Sequence, residues 1–394
     1  MTDIDNTRQI ATFRPEIFTF QIGVDMALIQ PLLQRVEDAH ARFASVPILP
    51  DVATRLEREV VASSVFGTNT IEGGTLTEEE TAAVIDADIA REEKEKRVLN
   101  IIRAYSEAES FADICIHDNT GTPEGQGVPV GLHEIMLTDL HATITEGLTH
   151  PHNVPGQYRD NQKGQLTKVG DEEHGGVYTP PKCRDDIETL VKAYLEWINS
   201  PELEQLSPLI RAPLAHYYFE RIHPFWDGNG RVGRVLEAMI LKCANYKYAS
   251  FALSHYYLEH IDEYFAVFNL ARKAEKNKER YPNTVFVEFF LQGMLTVLNL
   301  LHDRVNRIIA VLLYETSLNS KLQNKDINHR QFTIVTHLLP HGIEHPLSHL
   351  QSQAWYQGLY QKLTSKTRTR DLKGLVEEQL IMITDDKKLK ILIP

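Results

Sequence analysis

The chain has 394 residues, 42% of them hydrophobic and 24% charged, with a formal net charge of -13. That length holds two or three domains and that composition is ordinary for a globular protein. The acidic balance excludes a chain devoted overall to nucleic acid or membrane, while leaving room for a local basic patch.

Taken in chain order, the apolar spacing is mostly helical. Leu28, Leu32, Leu33, Val36 and Ala39 recur at three- and four-residue steps, as do Leu99, Ile102 and Tyr105. REEKEKR at 91–97 reads as a solvated helix face. Cys115, Cys183 and Cys243 form no CxxC pair, which fits a reducing compartment. MTDIDNTRQIATFRPE carries no leader-like segment, and no window is expected to reach the length of a membrane span. The expectation is a cytoplasmic protein without a membrane partner.

The Gly- and Pro-rich stretch 118–131 reads as a loop, and a helix follows through Leu132, Ile135, Met136, Leu140 and Ile144. Residues 155–181 break the helical pattern. Two short β-capable pieces, Leu166–Val169 and Val177–Thr179, end at Pro180-Pro181, as in a hairpin-like flap standing off a helical body. Helices resume from Asp186 to Leu195, Leu209 to Ile222 and Gly230 to Cys243. From Asp326 onward nine Lys/Arg meet seven Asp/Glu, and SKTRTRDLKGLVEEQLIMITDDKKLKILIP suggests a helix and two short strands. A domain boundary is placed near Lys321–Asn328. His337, His341, His345 and His349 recur every four residues, but Pro340, Gly342 and Pro346 interrupt the helix that a metal stripe needs. His133 and His141 read as packing or surface residues.

The densest chemistry lies in HPFWDGNGRVGR, 223–234. Pro224 forces its predecessor out of helical geometry, so one helix stops at about His223. The next, apolar through Val232, Leu236, Met239, Ile240 and Cys243, starts after a tight loop whose last residue, Asn229, suits an N-cap. Glycines there expose N–H groups at the positive end of a helix, which makes an anion site. Arg231 and Arg234 lie one turn apart in the first turn, where cations oppose the macrodipole at about 0.3–1 kcal/mol each. Two arginines at that end suit a visiting polyphosphate. Asp227 offers a hard oxygen for Mg2+ held together with phosphates. His223 is the side chain able to take a proton near neutral pH.

These residues match the HPFx(D/E)GNGRxxR signature and resemble Fic proteins, most of which are protein adenylyltransferases moving AMP from ATP to a hydroxyl side chain of a target protein. The resemblance implies a mainly α fold, a Fic helical core with a β-hairpin flap at 155–181. His223 would be the catalytic base, Phe225 the loop's anchor and Asp227 the Mg2+ ligand. Gly228, Asn229, Gly230, Arg231, Val232, Gly233 and Arg234 would form the ATP site.

Upstream, Thr68-Asn-Thr-Ile-Glu72-Gly73 fits the (S/T)xxxE(G/N) pattern of Fic inhibitory helices, which implies that Glu72 binds Arg234. Val169 of the flap would touch the nucleotide. Residues 253–264 resemble the family's SxYxxxNRxxYY segment near adenosine, with His260 for Asn and Ile261 for Arg, which adds Tyr256 and His260 to the ATP site. The implied organisation is an N-terminal helical region over 1–110 with the inhibitory helix around 60–73, a Fic core over 111–320, and a C-terminal winged-helix (α+β) domain over 326–394. Lys366, Arg368, Arg370 and Lys373 on its recognition helix and Lys387 and Lys388 on its wing leave DNA contact and protein contact both open. Self-AMPylation, a homodimer, AMP removal by the same site with Glu72 as base, transfer of another phosphorylated group, and a nucleotide-sensing DNA-binding regulator remain open at this stage.

Overall fold

Prolines and capping residues set where the helices begin. Pro50 and Pro208 occupy first-turn positions, where their missing N–H would have had no partner. Thr77 and Asn328 each open a helix with a capping box, closed by Glu80 and Gln331. The computed structural model describes residues 6–13, 17–117, 131–161, 165–170, 172–173, 176–339 and 344–393, with backbone alone at 112–117. The expected loop at 118–130, His341 and parts of the flap therefore lie outside the described residues.

The chain divides after His302 into two compact units. In the first, β1 (Arg8–Ala11) pairs antiparallel with β2 (Ile17–Phe20), Arg8 opposite Phe20. Helices follow as α1 (Met26–Ala44), α2 (Pro50–Ile71), α3 (Glu78–Ala87), α4 (Glu93–His117), α5 (Glu134–Thr145), α6 (Arg184–Ile198), α7 (Pro201–Glu204), α8 (Pro208–Ile222), α9 (Asn229–Cys243), α10 (Ala249–Glu259), α11 (Ile261–Lys276) and α12 (Thr284–Gln323). Helices α8 and α9 pack on each other at the centre. Nearly every residue of both is buried, polar ones included, as expected of helices surrounded on all sides by protein. Expected core positions Ile210, Leu214, Tyr218, Ile222, Val232 and Leu236 are wholly buried. Leu28 and Ile135, which share the helical spacing, are 60% and 70% exposed, because a period alone does not say where the apolar stripe ends.

The second unit holds α13 (His329–Leu338), α14 (Leu347–Ser352), α15 (Ala354–Leu359) and α16 (Ser365–Glu377). Its antiparallel sheet consists of β3 (Glu344–Pro346), β4 (Ile381–Ile383) and β5 (Lys388–Ile391), in the order β3-β5-β4. Buried Asp371 ties it together, accepting from Arg330 Nε (2.8 Å) and the Tyr360 hydroxyl (3.1 Å). Division after His302 comes ahead of the boundary expected at 321–328. The late residues of α12, Tyr314 and Leu318, belong to the second unit's core with Ile334, Leu375 and Leu389, and Tyr314 donates to the Leu380 carbonyl at 2.8 Å.

One expectation needs correcting. Helix α12 is long and apolar enough by composition to cross a membrane, with a mean hydropathy of 1.6 over its best window. Since 56% of that window is buried inside the protein, it has the profile of a core helix.

Candidate active site

The motif sits at the junction of α8 and α9. Helix α8 ends where expected, with His223 at φ +49° and ψ +60°, left-handed, immediately before Pro224. Three clamps then fix the loop. Arg159, wholly buried, donates from Nε to the His223 carbonyl (2.6 Å) and from NH2 to the Pro181 carbonyl (2.5 Å), and its own N–H donates to Pro224 (2.9 Å). Phe225 is wholly buried against His141, the rings 3.7 Å apart and parallel within 1°. Asn229 accepts from the Phe225 N–H and donates to the Phe225 carbonyl, both at 2.9 Å.

That last pair corrects the expected cap. Asn229 is the first helical residue, and Gly228 is the N-cap at φ +80°, a conformation open to glycine. The amide side chain closes the loop on itself rather than capping α9, so the helix's first N–H groups stay free of a side-chain cap.

His141 accepts from the Gly156 N–H at Nδ1 (2.9 Å), which leaves the proton on Nε2 to donate to the Asp227 carbonyl (3.1 Å). Burial pushes its pKa down to about 4, so it is neutral at physiological pH. Neither His141 nor Arg159 was legible as a site residue. Their partners lie 86 and 64 residues away, and no local pattern marks such a contact.

Glu72 closes the site from the other side. It follows the last residue of α2 and its Oε1 accepts from Arg234 NH2 at 2.7 Å. Arg234 is further held by Thr68 Oγ1 at Nε (3.0 Å) and by Tyr264 Oη at NH1 (3.2 Å). Burial alone would raise the Glu72 pKa, but the Arg234 and Arg231 guanidiniums overcome it and hold the carboxyl below its usual range. The carboxylate rests on the start of α9: a Cβ at Gly230 would lie 2.1 Å from Glu72 Oε1. Glycine at 230 is what lets an anion come this close to the helix terminus.

A cavity of about 360 Å³ opens here. Glu72, Val169, His223, Asp227, Gly228, Asn229, Gly230 and Arg234 line it, together with Tyr178, Glu220, Phe265, Phe268, Asn269 and Arg272. His223 stands with Nδ1 3.5 Å from Glu220 Oε2. Among the described residues the flap reaches the cavity through one antiparallel bridge, Val169 to Tyr178, and the Tyr178 hydroxyl donates to the Arg221 carbonyl at 2.9 Å.

Five of the residues expected at the ATP site, Arg231, Val232, Gly233, Tyr256 and His260, do not line this cavity. Val232 is wholly buried, and Gly233 faces His216 of α8, whose Cδ2 would lie 2.8 Å from an added Cβ. Tyr256 and His260 stack on each other (4.1 Å), and His260 Nδ1 bonds the Tyr256 carbonyl (3.0 Å). They do not line the cavity. Phe265, Phe268, Asn269 and Arg272, from the next helix, do. Arg231 is 1% exposed and pairs with Asp227 (NH2 to Oδ2, 2.7 Å), while its Nε and NH1 have no partner among the described residues. It lines a second cavity of about 260 Å³ with Asn69, Lys94 and Arg97. The Asp227 carboxyl is held below its usual range, Arg231 outweighing burial.

Residues 131–241 match the Fic/DOC family. Among curated relatives, the chain is 26% identical over 238 residues to protein adenylyltransferase Fic of Nematostella vectensis, covering 60% of this chain and 51% of the relative. It is 28% identical over 193 residues to the Drosophila virilis protein of the same name, covering 49% and 35%. The chain thus spans about half or less of these relatives' length. Its fold is similar to a crystal structure of a Fic family protein from Desulfovibrio desulfuricans G20, with 20% identity, a TM-score of 0.54, and 92% and 95% of the two chains covered. It is also similar to a segment of Fic-1 from C. elegans, at 19% identity, a TM-score of 0.51, and 71% and 74% covered.

Proposed function

We propose that this chain, whose residues 131–241 match the Fic/DOC family, is a protein adenylyltransferase that transfers AMP from ATP to a Ser, Thr or Tyr hydroxyl of a target protein and is restrained by Glu72. The observation that carries this reading is a carboxylate bound to Arg234 at the open end of α9, in the same cavity as His223. A helix terminus backed by arginine takes an anion, and in the restrained state a side chain of the protein supplies it. The orphaned nitrogens of Arg231 fit a polyphosphate as well.

In the transfer, the target hydroxyl oxygen attacks the α-phosphorus of ATP as its proton passes to His223. The Pα–O bond to the β-phosphate breaks and pyrophosphate leaves. The α9 N–H groups and Arg234 stabilise charge on the phosphates, which is the larger part of catalysis in such reactions. Among the described residues no three His, Cys, Asp or Glu side chains gather as a metal site. Asp227 alone, together with phosphate oxygens and water, suits Mg2+, which when bound would neutralise the departing phosphates. Phe265 and Phe268 offer apolar walls for the base, and Asn269 and Arg272 polar groups beside them.

Glu72 excludes productive phosphate binding while it holds Arg234. Glu72→Gly is expected to raise self-labelling with labelled ATP, and His223→Ala to abolish it; equal labelling in wild type and both variants contradicts the assignment. Because Glu72 is an ionised carboxylate on the cavity wall, removal of AMP with Glu72 as the base is the second reading. A pre-AMPylated target given to wild type and Glu72→Gly separates the two.

The element order of the second unit supports a winged helix, with α16 as the recognition helix and β4–β5 as the wing. Lys366, Arg370 and Lys373 are exposed on α16, whereas Arg368 packs over Tyr356 and Tyr360. We assign this face to a protein or DNA contact, which salt-dependent binding to duplex DNA distinguishes.

A further inference from the structure

Within REEKEKR, the stretch expected to be a solvated face, Arg97 turns away from solvent. Its NH2 donates to the backbone carbonyl of Glu72 at 2.6 Å, from α4 to the end of α2. The carbonyls of a helix's last turn have no partner further along the helix and carry its negative end. The chain reverses there at once: the Gly73 N–H bonds the Thr70 carbonyl (2.9 Å) and the Gly74 N–H bonds Asn69 (2.8 Å), with Gly73 at φ +81°. The Glu72 carboxylate therefore reaches Arg234 from the lip of a turn, and its position depends on that turn staying closed.

We propose that Arg97 is a positioning residue that holds the C-terminus of α2 closed and so keeps Glu72 on Arg234. This rests on the reading of Glu72 as the restraint. Thr68, one turn earlier, is bonded to Arg234 Nε, so the near side of the turn is fixed by α9 and the far side by α4. Burial and the neighbouring Arg231 disfavour the charge on Arg97 while the Glu72 carboxylate favours it, so the two residues sustain each other. The arrangement gives the restraint a handle outside the nucleotide cavity. Anything that draws Arg97 off the Glu72 carbonyl loosens Glu72 from the side of the second cavity, which Arg97 shares with Asp227 and Arg231. Arg97 also lines the second cavity, so shortening it widens an existing space rather than emptying a packed core.

The test is hydrogen–deuterium exchange on the full chain, read at the Gly73 and Gly74 amides. Losing a charge-assisted hydrogen bond corresponds to about a tenfold change in the closed-to-open ratio. Arg97→Met should speed exchange there by about tenfold and Arg97→Lys by much less. Unfolding temperatures check that both variants fold. Unchanged exchange in a folded Arg97→Met overturns the proposal, whether or not the protein transfers AMP. Labelling supplies the second arm: Arg97→Met should raise self-labelling over wild type, yet add nothing to Glu72→Gly. Multiplying increments in the double variant would show that Arg97 acts elsewhere and overturn the proposal. If Glu72→Gly itself is silent, the AMP-transfer reading falls, and the exchange arm still decides whether Arg97 closes the turn.

Discussion

The start of α9 and the flap border the same cavity but are held by opposite means. Around the motif, every turn of the loop is gripped by a buried polar group: Arg159 on the His223 carbonyl, His141 on the Asp227 carbonyl, Asn229 on both backbone groups of Phe225. Beyond its base, where Arg159 bonds the motif loop and Asn161 donates to Thr167 Oγ1, the described part of the flap has one β-bridge, the Tyr178 hydroxyl on the Arg221 carbonyl and the Asn269 amide on the Gly176 carbonyl. Its β-capable residues Leu166 and Val177 are 45% and 37% exposed. Groups that meet charge developing during reaction must be in place beforehand. If the flap takes up an extended target segment in the proposed transfer, its edge must instead keep backbone hydrogen bonds unmade.

The sharpest way to break this comparison is at the cradle's base. His223→Ala should lower AMP transfer by about 100- to 10,000-fold while leaving the unfolding temperature nearly unchanged, since a general base acts on rate. A similar loss of rate from a flap variant, with no target present, would erase the distinction.

Next comes Arg159→Met. Leaving the carbonyls of His223, Pro181 and Ile222 without their donor should cost about 4 kcal/mol, measured by urea unfolding. A cost under about 1 kcal/mol would mean that the clamp is dispensable.

His141 gives a pH-dependent version of the same test. Its folded pKa of about 4 lies below the unfolded value of about 6.5. As pH falls from about 6.5 toward about 4, the unfolded chain takes up a proton that the folded protein refuses, so stability drops by up to about 3 kcal/mol. His141→Asn should flatten that part of the profile. Parallel profiles for the two proteins would contradict the assignment.

The smallest stability effect belongs to the flap. Val169→Pro removes one bridge and should shift stability by less than about 1 kcal/mol. It should nevertheless cut transfer to a target several-fold more than self-labelling.

The same contrast governs what could be read from the sequence. Short-range physics was legible: the end of α8 before Pro224, the apolar faces of α8 and α9, the phased arginines, and glycine where an anion approaches α9. Asn229 was misjudged because its side chain had two local uses, and loop closure took precedence over capping. Arg97, His141 and Arg159 carried no sign of their roles, since each depends on a backbone carbonyl 25 to 86 residues away. Tyr256 and His260 show the converse. Their segment resembles a nucleotide contact, yet these two aromatic rings stack on each other and leave the cavity wall to residues of α11. The division after His302 falls within α12 (Thr284–Gln323), where helical periodicity does not report a change of core.

Intact-mass spectrometry of the Glu72→Gly protein after incubation with ATP and Mg2+ tests the central claim most directly. The account predicts a mass increment of one AMP moiety, absent from the same protein carrying His223→Ala. No adduct at all, or an increment of a different group, would contradict it.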